Sequence, residues 1–69
     1  MRELHLGNRL IVARAEMGLS QADLAKLAGV SRQTICSIET EQYCPSSLLA
    51  FILASRLGKP VDYLFYLRE

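Results

Sequence analysis

Apolar residues recur at three- and four-residue spacing along most of the chain, the period of a helix with one buried face. Leu10, Ala13 and Met17 give the inner face of a first helix over 8–17, with Asn8 to cap it and Gly18 to end it. Leu24, Ala25 and Ala28 do the same for a second helix over 21–28. Ser20 and Asp23 ahead of it form a capping-box pattern, in which each side chain satisfies an orphan backbone donor. Gly29 turns the chain and Val30 plugs the corner. Ser31 then caps a third helix over 32–40 that turns Ile35 and Ile38 inward. "EQYCPSS" reads as a loop, 47–57 as a fourth helix stopped by Gly58, and 60–65 as a short fifth helix begun by Pro60. At the ends, Arg2–Leu6 partly alternates and Phe65-Tyr66-Leu67 is β-prone, so the two ends can pair as short strands. The pattern predicts an all-α domain of five helices, with short terminal β-strands as its one addition.

The length of 69 residues makes this one domain spanning 1–69, with the paired second and third helices at 20–40. Below roughly 70–80 residues one core supplies only a few kcal/mol, so outside support is expected. A hydrophobic content of 51% points to that support being a second copy. The prediction is a homodimer joined through elements in 47–69.

Candidate chemistry narrows the function by elimination. Cys36 and Cys44 do not form a CxxC, and the single histidine, His5, stands far from both, so zinc spacing is absent and no cofactor is expected. Two cysteines also fall short of a secreted disulfide framework, and they read as incidental thiols. The first ten residues lack the apolar segment of a signal peptide, and the longest apolar run, Leu48–Ala54, cannot span a bilayer. A cytoplasmic protein without membrane contact is expected. An enzyme is not, because there is no nucleophile–base pair, phosphate loop or room for a pocket, and no small-molecule ligand is predicted.

Lys+Arg is 8 and Asp+Glu is 7, a formal net charge of +1. That is not the basic footprint of a typical nucleic-acid binder, so any such role rests on where a few groups stand. The third helix supplies them. Its outward side carries Arg32, Gln33, Cys36 and Ser37, with Thr34 flanking. Two helices joined through a glycine turn, the second polar outside, fit the helix-turn-helix. Gln pairs bidentately with adenine, Arg with guanine, and Ser or Thr serves base edges or phosphates, so such a helix need not be strongly charged. At Gln21 the second helix can offer backbone N–H groups to a phosphate.

The stretch "GLSQADLAKLAGVSRQTICSIE", with Arg14 before it and "Y-x-P", "LG" and "VDYLF" after it, closely resembles the Cro/C1-type (xenobiotic-response-element) helix-turn-helix regulators. The likeness covers about residues 8–66 and implies a compact lambda-repressor-like domain that binds double-stranded DNA. It implies base reading by Arg32, Gln33 and Ser37, and backbone or flanking contacts by Gln21, Ser31, Thr34, Thr40 and Tyr43. Arg14 and Glu39 match an internal ion pair of the family.

The chain also departs from that pattern. Thr40-Glu41 stand where relatives carry Asn-Gly or similar, which puts a negative charge near a phosphate path and removes a glycine from the end of the third helix. Cys44 replaces the usual Asn before proline, and Leu48 and Ile52 occupy positions that tend to be polar. Leu48 and Ile52 share a helix face, which with Phe65 and Leu67 of the tail makes the expected dimer contact. The resulting expectation is a homodimeric transcriptional repressor on a palindromic operator. An antitoxin, a restriction-modification controller and an adaptor that has lost DNA readout remain open.

Overall fold

The computed structural model describes residues 3–69 and follows the predicted element order closely. Strand β1 (His5–Asn8) leads into helices α1 (Leu10–Met17), α2 (Gln21–Ala28), α3 (Arg32–Glu39), α4 (Ser47–Leu57) and α5 (Val61–Leu64), and strand β2 (Phe65–Arg68) ends the fold. β1 and β2 pair antiparallel, from His5 opposite Arg68 to Asn8 opposite Phe65. The expected terminal strands are therefore present, with β1 displaced toward the interior of the chain; Arg2, expected in it, lies outside the described residues.

Local chemistry explains the helix starts. Ser20 Oγ accepts from Asp23 N while Asp23 Oδ2 accepts from Ser20 N, both at 3.0 Å, so the capping box is complete. The Ser20 backbone N–H first, and the Ser20 side chain second, hold the Asp23 carboxyl below its ordinary range. Ser31 caps α3 by accepting from Thr34 N at 3.1 Å, and Ser46 caps α4 by accepting from Leu49 N at 3.2 Å. Gly29 stands at φ 74°, a left-handed conformation that lets α2 stop and α3 start at once.

Helix α1 begins at Leu10 rather than at 8, because Asn8 is taken up by β1. Asn8 still serves the helix start: its Oδ1 accepts from Leu10 N at 3.2 Å. Its Nδ2 reaches across to the Ile38 carbonyl at 2.9 Å. Helix α3 ends at Glu39, with Thr40 as its cap, and α5 spans only Val61–Leu64, with Pro60 at the cap position.

Leu10, Leu24, Ile35, Ile38, Leu53 and Leu64 are fully buried, one or two from each helix. Each contributes about 1.5–3 kcal/mol by leaving water, and a domain of this size needs all of them. Met17, expected on the inner face of α1, is 49% exposed. The helix is only two turns long, and its last turn has passed the edge of the core. Helix α4 packs across α2 and α1, and Arg56 Nε donates to the Leu27 carbonyl at 3.0 Å, which ties α4 to the last turn of α2.

The two strands are locked from outside the core. The Arg9 guanidinium lies over the rings of Tyr63 and Tyr66, at 5.0 and 4.4 Å from their centroids. Gly7 makes room for this stack: a Cβ there would stand 2.5 Å from Tyr66 Cε2.

Candidate nucleic-acid interface

Helix α3 is built as a presenting surface. Ile35 and Ile38 anchor it in the core, which leaves Arg32 and Gln33 exposed on its first turn and Ser37 half-buried one turn on. Gln33 Nε2 donates to Ser37 Oγ at 3.3 Å, so two of the three expected base-reading side chains are held side by side. Thr34 is half-buried and shares a hydrogen bond with the Ser31 hydroxyl at 3.0 Å.

The ends of the helix are held by other elements. At its C-terminal end, Asn8 binds the Ile38 carbonyl, and the backbone N–H groups of Gln42 and Tyr43 both donate to the Ser37 carbonyl, at 2.8 and 3.1 Å. Thr40 Oγ1 donates to the Cys36 carbonyl at 2.9 Å, so the hydroxyl expected to flank a ligand serves the helix end. Tyr43 is exposed and lines a shallow hollow with Leu4, His5, Leu6, Glu41 and Cys44. Both thiols are free, Cys36 half-buried and Cys44 exposed.

Arg14 and Glu39 form the expected ion pair, with Nε to Oε2 at 2.7 Å and Nη2 to Oε1 at 3.2 Å. The Glu39 side chain is only 2% exposed. Gln21 joins the same carboxylate: its Nε2 donates to Glu39 Oε1 at 2.8 Å, and its Oε1 accepts from Arg32 Nη1 at 3.3 Å. This bridge between the first residues of α2 and α3 was not legible in sequence, where Gln21 reads only as a phosphate contact. Through Gln21 the buried Arg14–Glu39 pair is thus linked to the exposed Arg32 at the start of α3.

The replaced glycine after α3 has a structural answer. Glu41 takes φ 64°, a conformation rare outside glycine, and its carboxylate is held by the Arg68 guanidinium, with Nε 2.9 and 3.0 Å from its two oxygens. Arg68 is the main cause of a Glu41 carboxyl lowered from its ordinary range. The negative charge noted near a phosphate path is thus paired within the chain.

The expected dimer residues fall into two groups. Leu48 is 71% exposed, Leu67 is exposed, and Ile52 is half-buried on the flank of α4. Phe65 is a correction: it is 8% exposed, inside the chain's own core, where its place opposite Asn8 turns it inward. Phe51, one turn from Leu48, is 62% exposed and extends the apolar face that sequence reading placed on Leu48 and Ile52. Its helical spacing from Leu48 is the signal that could have found it.

A family model for the helix-turn-helix matches residues 10–64, the segment that contains every element from α1 to α5. The chain belongs to the Cro/C1-type helix-turn-helix family. It is 48% identical over 58 residues to the uncharacterised HTH-type transcriptional regulator MJ0272 of Methanocaldococcus jannaschii, covering 84% of this chain and 88% of that one. It is 37% identical over 62 residues to the uncharacterised HTH-type regulator YgzD of Bacillus subtilis, covering 90% and 94%. Among solved structures it is similar to the restriction-modification controller protein C.AhdI of Aeromonas hydrophila, with a TM-score of 0.75, 34% identity and 81% of each chain covered. The Cro/C1-type chain is a DNA-binding transcriptional regulator. Among its described residues no helix is long and apolar enough to cross a membrane.

Proposed function

We propose that this regulator acts as a homodimeric cytoplasmic repressor on an approximately palindromic operator of double-stranded DNA. Each α3 lies in the major groove of one half-site, about one helical turn from the other. The observation that carries this reading is the pairing of Gln33 with Ser37 beside an exposed Arg32, on a helix held at both ends. Arg32 is suited to guanine, Gln33 to adenine and Ser37 to either base edges or phosphate. The N-terminus of α2 at Gln21, with Ser31 and Thr34, supplies the flanking backbone contacts.

Dimerisation is supported by the exposed pair Leu48 and Phe51 on α4, an apolar face that a monomer has no reason to keep. Repression follows from occupancy: a bound dimer occludes the polymerase. The reading assigns the chain no catalytic step, cofactor or small-molecule ligand. The likeness to a restriction-modification controller is consistent with such a role and does not favour it over general transcriptional regulation.

The test is selection from a random double-stranded DNA pool at two salt concentrations. A recovered palindrome is the expected outcome. Weak binding without a motif, falling steeply with salt, means non-specific contact only and rejects the proposal.

A further inference from the structure

Helix α1 is apolar on both sides. Leu10 and Ala13 enter the core, while Ile11, Val12 and Ala15 point outward, Ile11 58% and Val12 50% exposed. Ile11 and Ala15 stand one turn apart with Val12 beside them, so the three make one continuous face. Because α1 and α4 pack on one another within the core, this face looks away from Leu48 and Phe51. A dimer joined through α4 therefore leaves both α1 faces uncovered, one at each of its ends. The charges on and beside the helix are already used within the chain. Arg9 donates to the Tyr63 carbonyl, Arg14 is bound to Glu39, and Glu16 meets Lys59 Nζ at 3.0 Å. The face thus gives an oppositely charged partner nothing to grip, and it does not repel a copy of itself. It is also self-complementary: two copies antiparallel about a two-fold axis set Ile11 against Ala15 at two symmetric places, a large side chain on a small one each time.

Size sets the strength of such a contact. Ile11, Val12 and Ala15 fall far short of the roughly 20–30 residues a side that a stable interface uses. The contact forms to a useful extent only where something else holds two copies at high local concentration. DNA carrying two neighbouring operators does that. We infer that the outer face of α1 is a second self-contact, through which dimers on neighbouring operators fill the DNA cooperatively. The inference rests on the proposal of a dimer joined through α4 that reads an operator. It goes further in naming a second surface and its occupant, another copy of the chain.

The experiment uses duplexes that carry one or two copies of the operator recovered by selection, with the two centres moved apart in single-base-pair steps. At the best spacing the wild-type chain is expected to fill the second operator about tenfold or more tightly than a single one. That gain should vanish when about 5 bp, half a helical turn, are added, because the dimers then lie on opposite sides of the duplex. Ile11→Gln with Val12→Gln should abolish the gain and leave single-operator affinity and the dimer unchanged, since both side chains are exposed. Ala15→Gln, which puts bulk where Ile11 of the other copy sits, should do the same, and it serves alone if circular dichroism shows the double variant unfolded. Independent filling by the wild type at every spacing, with single-operator binding intact, overturns the inference and leaves the face to a different partner. Cooperativity that survives these substitutions also overturns it, by placing the contact elsewhere. A selection that recovers no motif removes the operator-reading proposal and this inference with it.

Discussion

The Arg68 guanidinium grips the carboxylate of Glu41, joining the last strand to the turn that follows α3. Glu41 holds its left-handed backbone without the help of a glycine, and the partner that secures its side chain lies 27 residues further on. The pair makes stability depend on acid in a defined sense. The Glu41 carboxyl is lowered from its ordinary value of 4.5, chiefly by Arg68, so its contribution is complete above that value and is lost as the pH falls through the lowered one. Thermal melts of the wild type and Arg68→Gln should therefore differ at neutral pH and converge in acid. The gap should also narrow at high salt, because the pair is exposed. A gap independent of both would assign the role of Arg68 to packing.

The Arg14–Glu39 pair should behave differently, since its carboxylate is sealed from solvent. Arg14→Met leaves a buried charge with Gln21 as its remaining side-chain partner, and should cost about 3–5 kcal/mol in denaturant unfolding. Arg14→Met with Glu39→Met should recover most of that loss, because burying no charge is cheaper than burying half a pair. A double variant as unstable as the single one would show that the pair contributes stability outright.

Gln33→Ala should cost about 1–3 kcal/mol of specific DNA binding and relax selectivity at one base position. Titration against the selected operator and its single-base variants measures both. Equal loss on every sequence would reduce Gln33 to a non-specific contact. Its bond to Ser37 predicts a smaller loss for Ser37→Ala, confined to the same or the adjacent position.

Leu48→Glu with Phe51→Glu should leave the fold intact, because both side chains are exposed, and should yield monomers in sedimentation. Operator affinity should fall with dimerisation, since each half-site alone supplies too few contacts. A surviving dimer would move the interface to Leu67 and the other exposed apolar residues of the sheet.

The helices were legible because their punctuation is local. Ser20 with Asp23, Ser31, and the glycine after α2 each act within four residues, so spacing alone reveals them. Arg14, Glu39 and the exposed side of α3 were legible through a motif that the family repeats. What could not be read depends on distant partners. The bond of Gln21 to Glu39 crosses 18 residues, and that of Asn8 to Ile38 crosses 30. Met17 and Phe65 were misjudged because two-turn helices and four-residue strands carry too few positions for a period to assign a face. Glu41 was read as a missing glycine, since no local rule anticipates a remote guanidinium that secures a glutamate in that turn.

Asn8 gives the small sheet a role beyond closing the fold. It is paired with Phe65 on one side and bound to the Ile38 carbonyl on the other, so opening the strands at Asn8 removes one of the bonds that hold the end of α3. The two events share part of their free energy, and such sharing is reciprocal. A ligand that immobilises α3 should slow deuterium uptake at the backbone amides of residues 5–8 and 65–68, which exchange-detected mass spectrometry can follow. Conversely, whatever steadies those strands lowers the ordering cost of engaging α3, so the sheet works as a remote gauge of occupancy and a remote means of tuning it.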